Sequence, residues 1–287
     1  MAGAGTGQVF GEAKRSQTSN TMTDLPPISP AIRTEIERRL AAIAAEEGVR
    51  LLLAAESGSR AWGFPSPDSD YDVRFVYVRP RRDYLALSPP RDVIERPIVD
   101  EIDCNGWDIR KALGLLLKHN AVLSEWLESP LRYVPDDPVV ARLADLADRH
   151  FDPRGYTLHY ASLGRGAVAR WFAGEDGMAV PVKRYFYALR PALMVRALRL
   201  DPSRRPPMTM PPLLDAAQVG REVRHAIAEL TALKAQTNEA GNVTRLPALD
   251  RLIAEELARA GEVAPRASDP AFATEADALF LELVEGP

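Results

Sequence analysis

The sequence has a single cysteine, Cys104, so it can form neither an internal disulfide framework nor a cysteine-rich zinc site; Cys104 reads as a small buried hydrophobe. Its four histidines, His119, His150, His159 and His225, are scattered without metal-ligand spacing and read as structural or surface residues. No apolar run approaches the roughly 18 residues that a membrane span needs. The N-terminal stretch has no apolar h-region, so the expected location is the cytoplasm. Positive charge is not in excess either: 36 Lys and Arg face 40 Asp and Glu, a net charge of −4, which excludes a basic nucleic-acid coat. No RNA-binding module such as an RRM or zinc knuckle is present.

What remains is an ordinary globular composition, 46% hydrophobic and 26% charged, over 287 residues, enough chain for two domains. The charge is uneven. Residues 183–205 hold seven Lys or Arg against one acid, Asp201, whereas residues 251–287 hold eight acids against three arginines. A polyanionic ligand would be drawn to the first region and repelled by the second.

Residues 1–28 lack periodicity and read as a disordered tail. Ser29 as N-cap and Pro30 at the first helical position open a helix with Ile32, Ile36, Leu40 and Ile43 on one face, and Gly48 closes it. Residues 50–55 form a short apolar run that predicts a buried strand, and a helical turn follows near Ser59. Residues 70–78 predict the next strand, with Tyr71, Val73, Phe75 and Tyr77 on its burying face. Two more strands are expected near 93–98 and 101–104, then a helix from an Asp108 cap to Lys118, stopped by Asn120. Beyond Pro138 the strand signals vanish, and helices are expected at about 138–150, 156–173, 181–199, 217–235, 247–260 and 270–284. The reading is therefore α+β: a small mixed-sheet domain over 29–136, then an all-helical domain over 137–287. Trp107, Trp126 and Trp171 read as core anchors.

The chemistry concentrates between residues 56 and 72. Gly58, Ser59 and Arg60 follow a strand and open a helix, a context in which unsatisfied backbone N–H groups and the helix dipole favour an anion. Gly58 lets a phosphate approach the backbone, and Ser59 and Arg60 add a hydroxyl and a guanidinium suited to phosphate oxygens. Asp70 and Asp72 lie two apart on an expected strand, so both carboxylates leave one face. Such a pair repels itself unless cations neutralise it, and hard oxygen ligands suit Mg²⁺ or Mn²⁺. A pair of these ions can clamp the attacking and leaving oxygens of a nucleotidyl transfer.

Gly-Ser at a helix start, ten intervening residues, then Asp-X-Asp on a strand resembles the signature of the DNA polymerase beta nucleotidyltransferase superfamily. The wider wording from Gly58 to Arg74 resembles its bacterial RNA-repair-pathway, RNA-ligase-associated (RlaP-type) branch. So do Gly106–Leu113 with Glu125-Trp126-Leu127, and Lys183–Pro191. The resemblance runs from about residue 45 to 200. It implies a palm-like nucleotidyltransferase domain over 29–136 and a nucleoside triphosphate whose phosphates sit on the Gly58-Ser59 loop. It implies metal-binding aspartates at 70 and 72 and a third carboxylate on a later strand. Asp103 is preferred for that third acid, which the resemblance makes a further metal ligand and the group that activates the attacking hydroxyl; Asp108 reads as a helix cap, and Glu101 would share the face of Asp103. The resemblance also suggests an RNA end as acceptor and an RNA ligase or other repair protein as partner.

Lys183, Tyr187 and Arg190 recur at spacings of four and three, so they share one helical face on which a base could stack on Tyr187 while the cations meet phosphates. Pro191 should kink that helix. Two readings compete with transfer to RNA. One is a transferase that nucleotidylates protein hydroxyls, as antitoxin-like members of the superfamily do; the other is a non-catalytic nucleotide-binding module, against which the intact Gly58, Ser59, Asp70 and Asp72 speak.

Overall fold

A computed structural model describes residues 28–171, 179–236, 241–267 and 269–286. Apart from Ile28, the expected tail over 1–28 lies outside these residues, as does the side chain of Trp171.

The first part of the chain carries α1 (Pro30–Glu47), β1 (Arg50–Glu56), α2 (Gly58–Trp62), β2 (Tyr71–Val78), α3 (Arg81–Tyr84), β3 (Val93–Glu95), β4 (Ile102–Asp108), α4 (Ile109–Leu116) and α5 (Ala121–Glu128). The remainder carries α6 (Val139–Arg149), α7 (Pro153–Trp171), β5 (Ala179–Pro181), α8 (Val182–Leu200), α9 (Met210–Ala216), α10 (Arg221–Gln236), β6 (Asn242–Thr244), α11 (Pro247–Ala258) and α12 (Ala271–Glu285). The fold is α+β, with a mixed four-stranded sheet in the order β1-β2-β4-β3. Only the β2–β4 pair is parallel, and its register sets Asp72 beside Asp103.

Local chemistry explains the ends of α1. Ser29 Oγ accepts from the Ile32 N–H at 3.3 Å, and Gly48 adopts φ 63°, a left-handed conformation that suits glycine. Ile36, Leu40 and Ile43 then pack on one sheet face against Val73, Phe75 and Tyr77, the alternate residues of β2. The other face, with Leu53, Val76 and Val78, is covered by α4, α5, α6 and α12. A third core lies within the helical part, where α8 is sheathed by α7, α9, α10 and α11.

Several elements differ from the sequence reading. Helix α4 ends at Leu116, short of Lys118, and Asn120 serves both neighbours: its N–H donates to the Leu115 carbonyl at 3.0 Å, and its side chain accepts from the Val122 N–H at 2.9 Å and starts α5. That helix is short, with most of its residues buried, so its apolar period was hidden. Helix α9 also escaped notice, because its two prolines sit in its first turn, where a missing N–H costs nothing. Strands β5 and β6 pair as a small ribbon within the part expected to be helical throughout. Helix α8 runs on through Pro191. Helices α6 and α12, both beyond residue 136, pack on the sheet, so its cover comes from both sides of that point in the chain.

Candidate active site

The site is built where β1 hands over to α2. Ser57 is extended, Gly58 turns to φ 59°, and Gly63 at φ 93° closes a five-residue helix. The Ser57 side chain makes no capping bond, so it does not satisfy the N–H groups of the first turn. The Ser57 N–H donates to the Asp72 carbonyl at 2.9 Å, and the Asp72 N–H donates to Glu56 Oε1 at 3.0 Å. These bonds press Asp72 onto Gly58. A Cβ at position 58 would stand 1.9 Å from Asp72 Oδ2, so no side chain larger than hydrogen fits without moving the carboxylate.

The loop from Gly63 to Asp70 is pinned from within. The Ser66 N–H donates to Ser69 Oγ at 2.9 Å, and Ser59 Oγ donates to the same oxygen at 3.1 Å. Arg60 donates to the carbonyls of Ser69 (2.6 Å) and Asp70 (3.2 Å) and lies 3.9 Å above the Tyr71 ring. It therefore holds the turn that carries Asp70. The serines at 66 and 69 and the clamp by Arg60 are not legible in the sequence, since they depend on how the loop from Gly63 to Asp70 folds back on α2 rather than on a regular spacing.

Strand β2 starts at Tyr71, so Asp70 sits one residue before it. Burial, reinforced by the neighbouring Asp103 and Asp70 carboxylates, raises the Asp72 pKa, against the opposing pull of Arg74 and Lys183. Arg74 shares the strand face of Asp72, and its Nη2 donates to both Asp72 Oδ1 and Asp103 Oδ2 at 2.7 Å. Glu101 lies exposed in a tight turn at φ 61°, and Asp108 caps α4 by accepting from the Arg110 N–H at 2.8 Å. Of the three acids weighed as third carboxylate, the structure brings Asp103 next to Asp72.

Two residues without a sequence-based role also reach this cluster. Arg74 is one; its position two places after Asp72 was the available signal. Glu56 is the other. It is fully buried, accepts from the Asp72 N–H and the Tyr133 hydroxyl, and burial pushes its carboxyl up to about 7.

Helix α8 approaches this cluster through its first turn. Lys183 is close enough to lower the Asp72 pKa. Tyr187, 40% exposed, meets Trp62 edge-on at 6.2 Å. Arg190 behaves differently from its neighbours on that face. It is buried, with Nη1 on Glu125 Oε1 and Nη2 on the Met208 carbonyl, both at 3.0 Å, and its guanidinium lies 4.3 Å from the Trp62 ring. Glu125 also accepts from Trp62 Nε1 and the Tyr160 hydroxyl. Arg190 is thus placed under Trp62 and bonded to protein partners, while Tyr187 is exposed beside the same ring.

Among the described residues, no three His, Cys, Asp or Glu side chains close into a ready-made metal cage. Mg²⁺ is ordinarily held by one or two carboxylates completed by substrate phosphates and water. Asp72, against the Gly58 turn, and its neighbours Asp70 and Asp103 are carboxylates of the type such an ion takes.

These features define a nucleotidyltransferase-like protein of the polymerase beta type. Residues 32–282 match the RNA repair pathway DNA polymerase beta family, RlaP, and the chain belongs to it. It is 36% identical over 240 residues to the uncharacterized protein YcgL of Bacillus subtilis (strain 168), a match covering 83% of this chain and 91% of YcgL. Among solved structures it is similar to a nucleotidyltransferase-like protein from Exiguobacterium sibiricum 255-15, at 12% identity and a TM-score of 0.30, over 88% of this chain and 80% of that one.

Proposed function

We propose that the protein transfers a nucleoside monophosphate from a nucleoside triphosphate to a hydroxyl acceptor, with Mg²⁺ or Mn²⁺ held by Asp70, Asp72 and Asp103. The observation that carries this reading is the contact of Asp72 with Gly58 on one side and its register with Asp103 on the other. It sets the Gly58 turn, Asp72 and Asp103 side by side, which supports a phosphate at the turn and a cation at the carboxylates.

The chain's own groups divide the work. Backbone N–H groups at the start of α2, with the Ser59 hydroxyl, receive the terminal phosphates, and Gly58 leaves room for them. Lys183 adds positive charge from α8. Tyr187 offers a face for the base, and Arg190 supports Trp62 from below. Arg60 keeps Asp70 in place through the Ser69 and Asp70 carbonyls. Asp103 accepts the proton of the attacking hydroxyl as its oxygen bonds to the α-phosphorus and pyrophosphate leaves. A bound divalent cation would neutralise the carboxylates and polarise the α-phosphate.

The family's description as an RNA repair pathway member supports an RNA end as the acceptor and a repair protein as partner. The test is incubation of the full chain with each α-labelled triphosphate, Mg²⁺ or Mn²⁺, and a mixture of RNAs with free ends. Label should move to RNA with wild type and not with Asp72→Asn. Label on the polypeptide alone would favour the protein-hydroxyl reading. No transfer to any acceptor under any of these conditions rejects catalysis.

A further inference from the structure

Arg74 stands in an unusual place. It is the cation that Asp72 and Asp103 share: one nitrogen, Nη2, lies 2.7 Å from Oδ1 of the first and 2.7 Å from Oδ2 of the second. Its Nη1 is fixed as well, donating to the Asp103 carbonyl at 3.0 Å and more weakly to the Val73 carbonyl at 3.3 Å. The side chain is 18% exposed, so its charge acts in a partly desolvated setting where an ion pair is strong. A guanidinium does not lose its proton in a protein, so this charge is permanent.

The two carboxylates sit side by side on parallel strands, and without a cation between them they would repel. Arg74 takes one oxygen of each carboxylate, so a divalent ion seated between Asp72 Oδ1 and Asp103 Oδ2 would compete with it directly. The remaining Asp72 oxygen, Oδ2, faces the Gly58 turn instead and has no part in the Arg74 bridge. The cluster therefore has two sides. On the Gly58 side a cation carried in by the triphosphate finds Oδ2 available. Between Asp72 Oδ1 and Asp103 Oδ2 a cation must first displace Arg74.

We propose that Arg74 is a built-in counter-cation that closes the position between Asp72 and Asp103 until a metal–triphosphate enters, so that this position takes a divalent ion only together with substrate. The exchange is cation for cation, and the arriving phosphates supply new acceptors for the displaced guanidinium. This rests on the metal-dependent reading above and adds an order of events to it: free metal is held back and substrate-borne metal is admitted.

The test counts Mn²⁺ on the full chain by electron paramagnetic resonance, with and without a non-hydrolysable triphosphate analogue, in wild type, Arg74→Gln, Arg74→Lys and Asp72→Asn. Without analogue, wild type should bind Mn²⁺ weakly, Arg74→Gln at least about tenfold more tightly, and Arg74→Lys close to wild type. With analogue present, the gap between wild type and Arg74→Gln should shrink to about threefold or less. Wild type alone gives a second measurement: the melting shift from Mn²⁺ plus analogue should exceed the sum of the two separate shifts. Equal Mn²⁺ affinity for Arg74→Gln and wild type, or additive melting shifts, would overturn the role of Arg74 while leaving the metal site standing, provided Asp72→Asn abolishes binding. Mn²⁺ binding by none of the proteins, even with analogue, would overturn both this proposal and the reading on which it rests.

Discussion

One methyl group at position 58 is enough to probe the site. Gly58 has φ 59°, where a side chain costs roughly 1–2 kcal/mol, and its Cα faces Asp72 Oδ2. Gly58→Ala should therefore push the Asp72 carboxylate away, lowering both triphosphate and Mn²⁺ affinity, as read by calorimetry; unchanged affinities would place the phosphates elsewhere. Asp72→Asn is gentler on the fold, because Arg74 keeps Asp103 as partner and one of three clustered negative charges disappears. Its stability should stay within about 1 kcal/mol of wild type, while transfer falls on the order of a hundredfold or more. At this scale much was legible. Gly58, Ser59, Asp70 and Asp72 lie close in sequence and their chemistry is local. Arg74, Glu56 and Glu125 were not, because what makes each of them matter is a partner brought from another strand or helix.

Elements read well where their signals were local and badly where burial erased the period. Ser29, Pro30 and Gly48 frame α1 as their chemistry requires, and the alternation in β2 separates Phe75 and Tyr77 from the face of Arg74. The eight-residue α5 and the proline-led α9 carry no such pattern. The junction of β1 with the segment around Tyr133 was equally invisible, since it depends on the Tyr133 N–H reaching the Ala54 carbonyl and on the Glu56 N–H reaching Leu131. That junction buries Glu56 and has a consequence for pH. Its carboxyl, ordinarily near 4.5, is pushed up to about 7 by burial, so between those values the folded chain holds a proton that the unfolded chain has released. The contribution to stability is full below about 4.5 and is lost as pH rises through about 7. In metal-free protein, Glu56→Gln should flatten that loss and be relatively more stable at pH 8, by at most on the order of 3 kcal/mol. Parallel pH–stability curves for variant and wild type, from urea melts, would show that Glu56 does not titrate in this window.

Across the whole molecule, the sheet and the helices depend on each other. Phe64, just past the phosphate turn, stacks on Phe186 of α8 at 4.2 Å, and buried Lys234 of α10 donates to the Phe64 carbonyl at 2.7 Å. The sheet in turn needs α6 and α12, whose Leu143, Leu146, Phe272 and Leu279 cover Leu53 and Val76. A fragment ending at residue 136 should therefore lack a cooperative melt and bind a hydrophobic dye; a sharp transition would mean that the sheet stands alone. One joint is Glu125, which gathers Arg190, Trp62 and Tyr160 from α8, α2 and α7. Removing buried Arg190 leaves the largely shielded Glu125 carboxylate without its cation, so Arg190→Ala should destabilise the fold by about 2–3 kcal/mol. Paired neutral replacement, Arg190→Met with Glu125→Gln, should recover most of that loss. For nucleotide binding, the placement of Arg190 beneath Trp62 makes a sharper forecast. If Arg190 acts only by supporting Trp62, the two substitutions are not additive. Trp62→Ala should weaken triphosphate binding, and adding Arg190→Ala to it should change calorimetric affinity little further. A further tenfold loss, about 1.4 kcal/mol, in the double variant would mean instead that the guanidinium leaves Glu125 and meets phosphate directly.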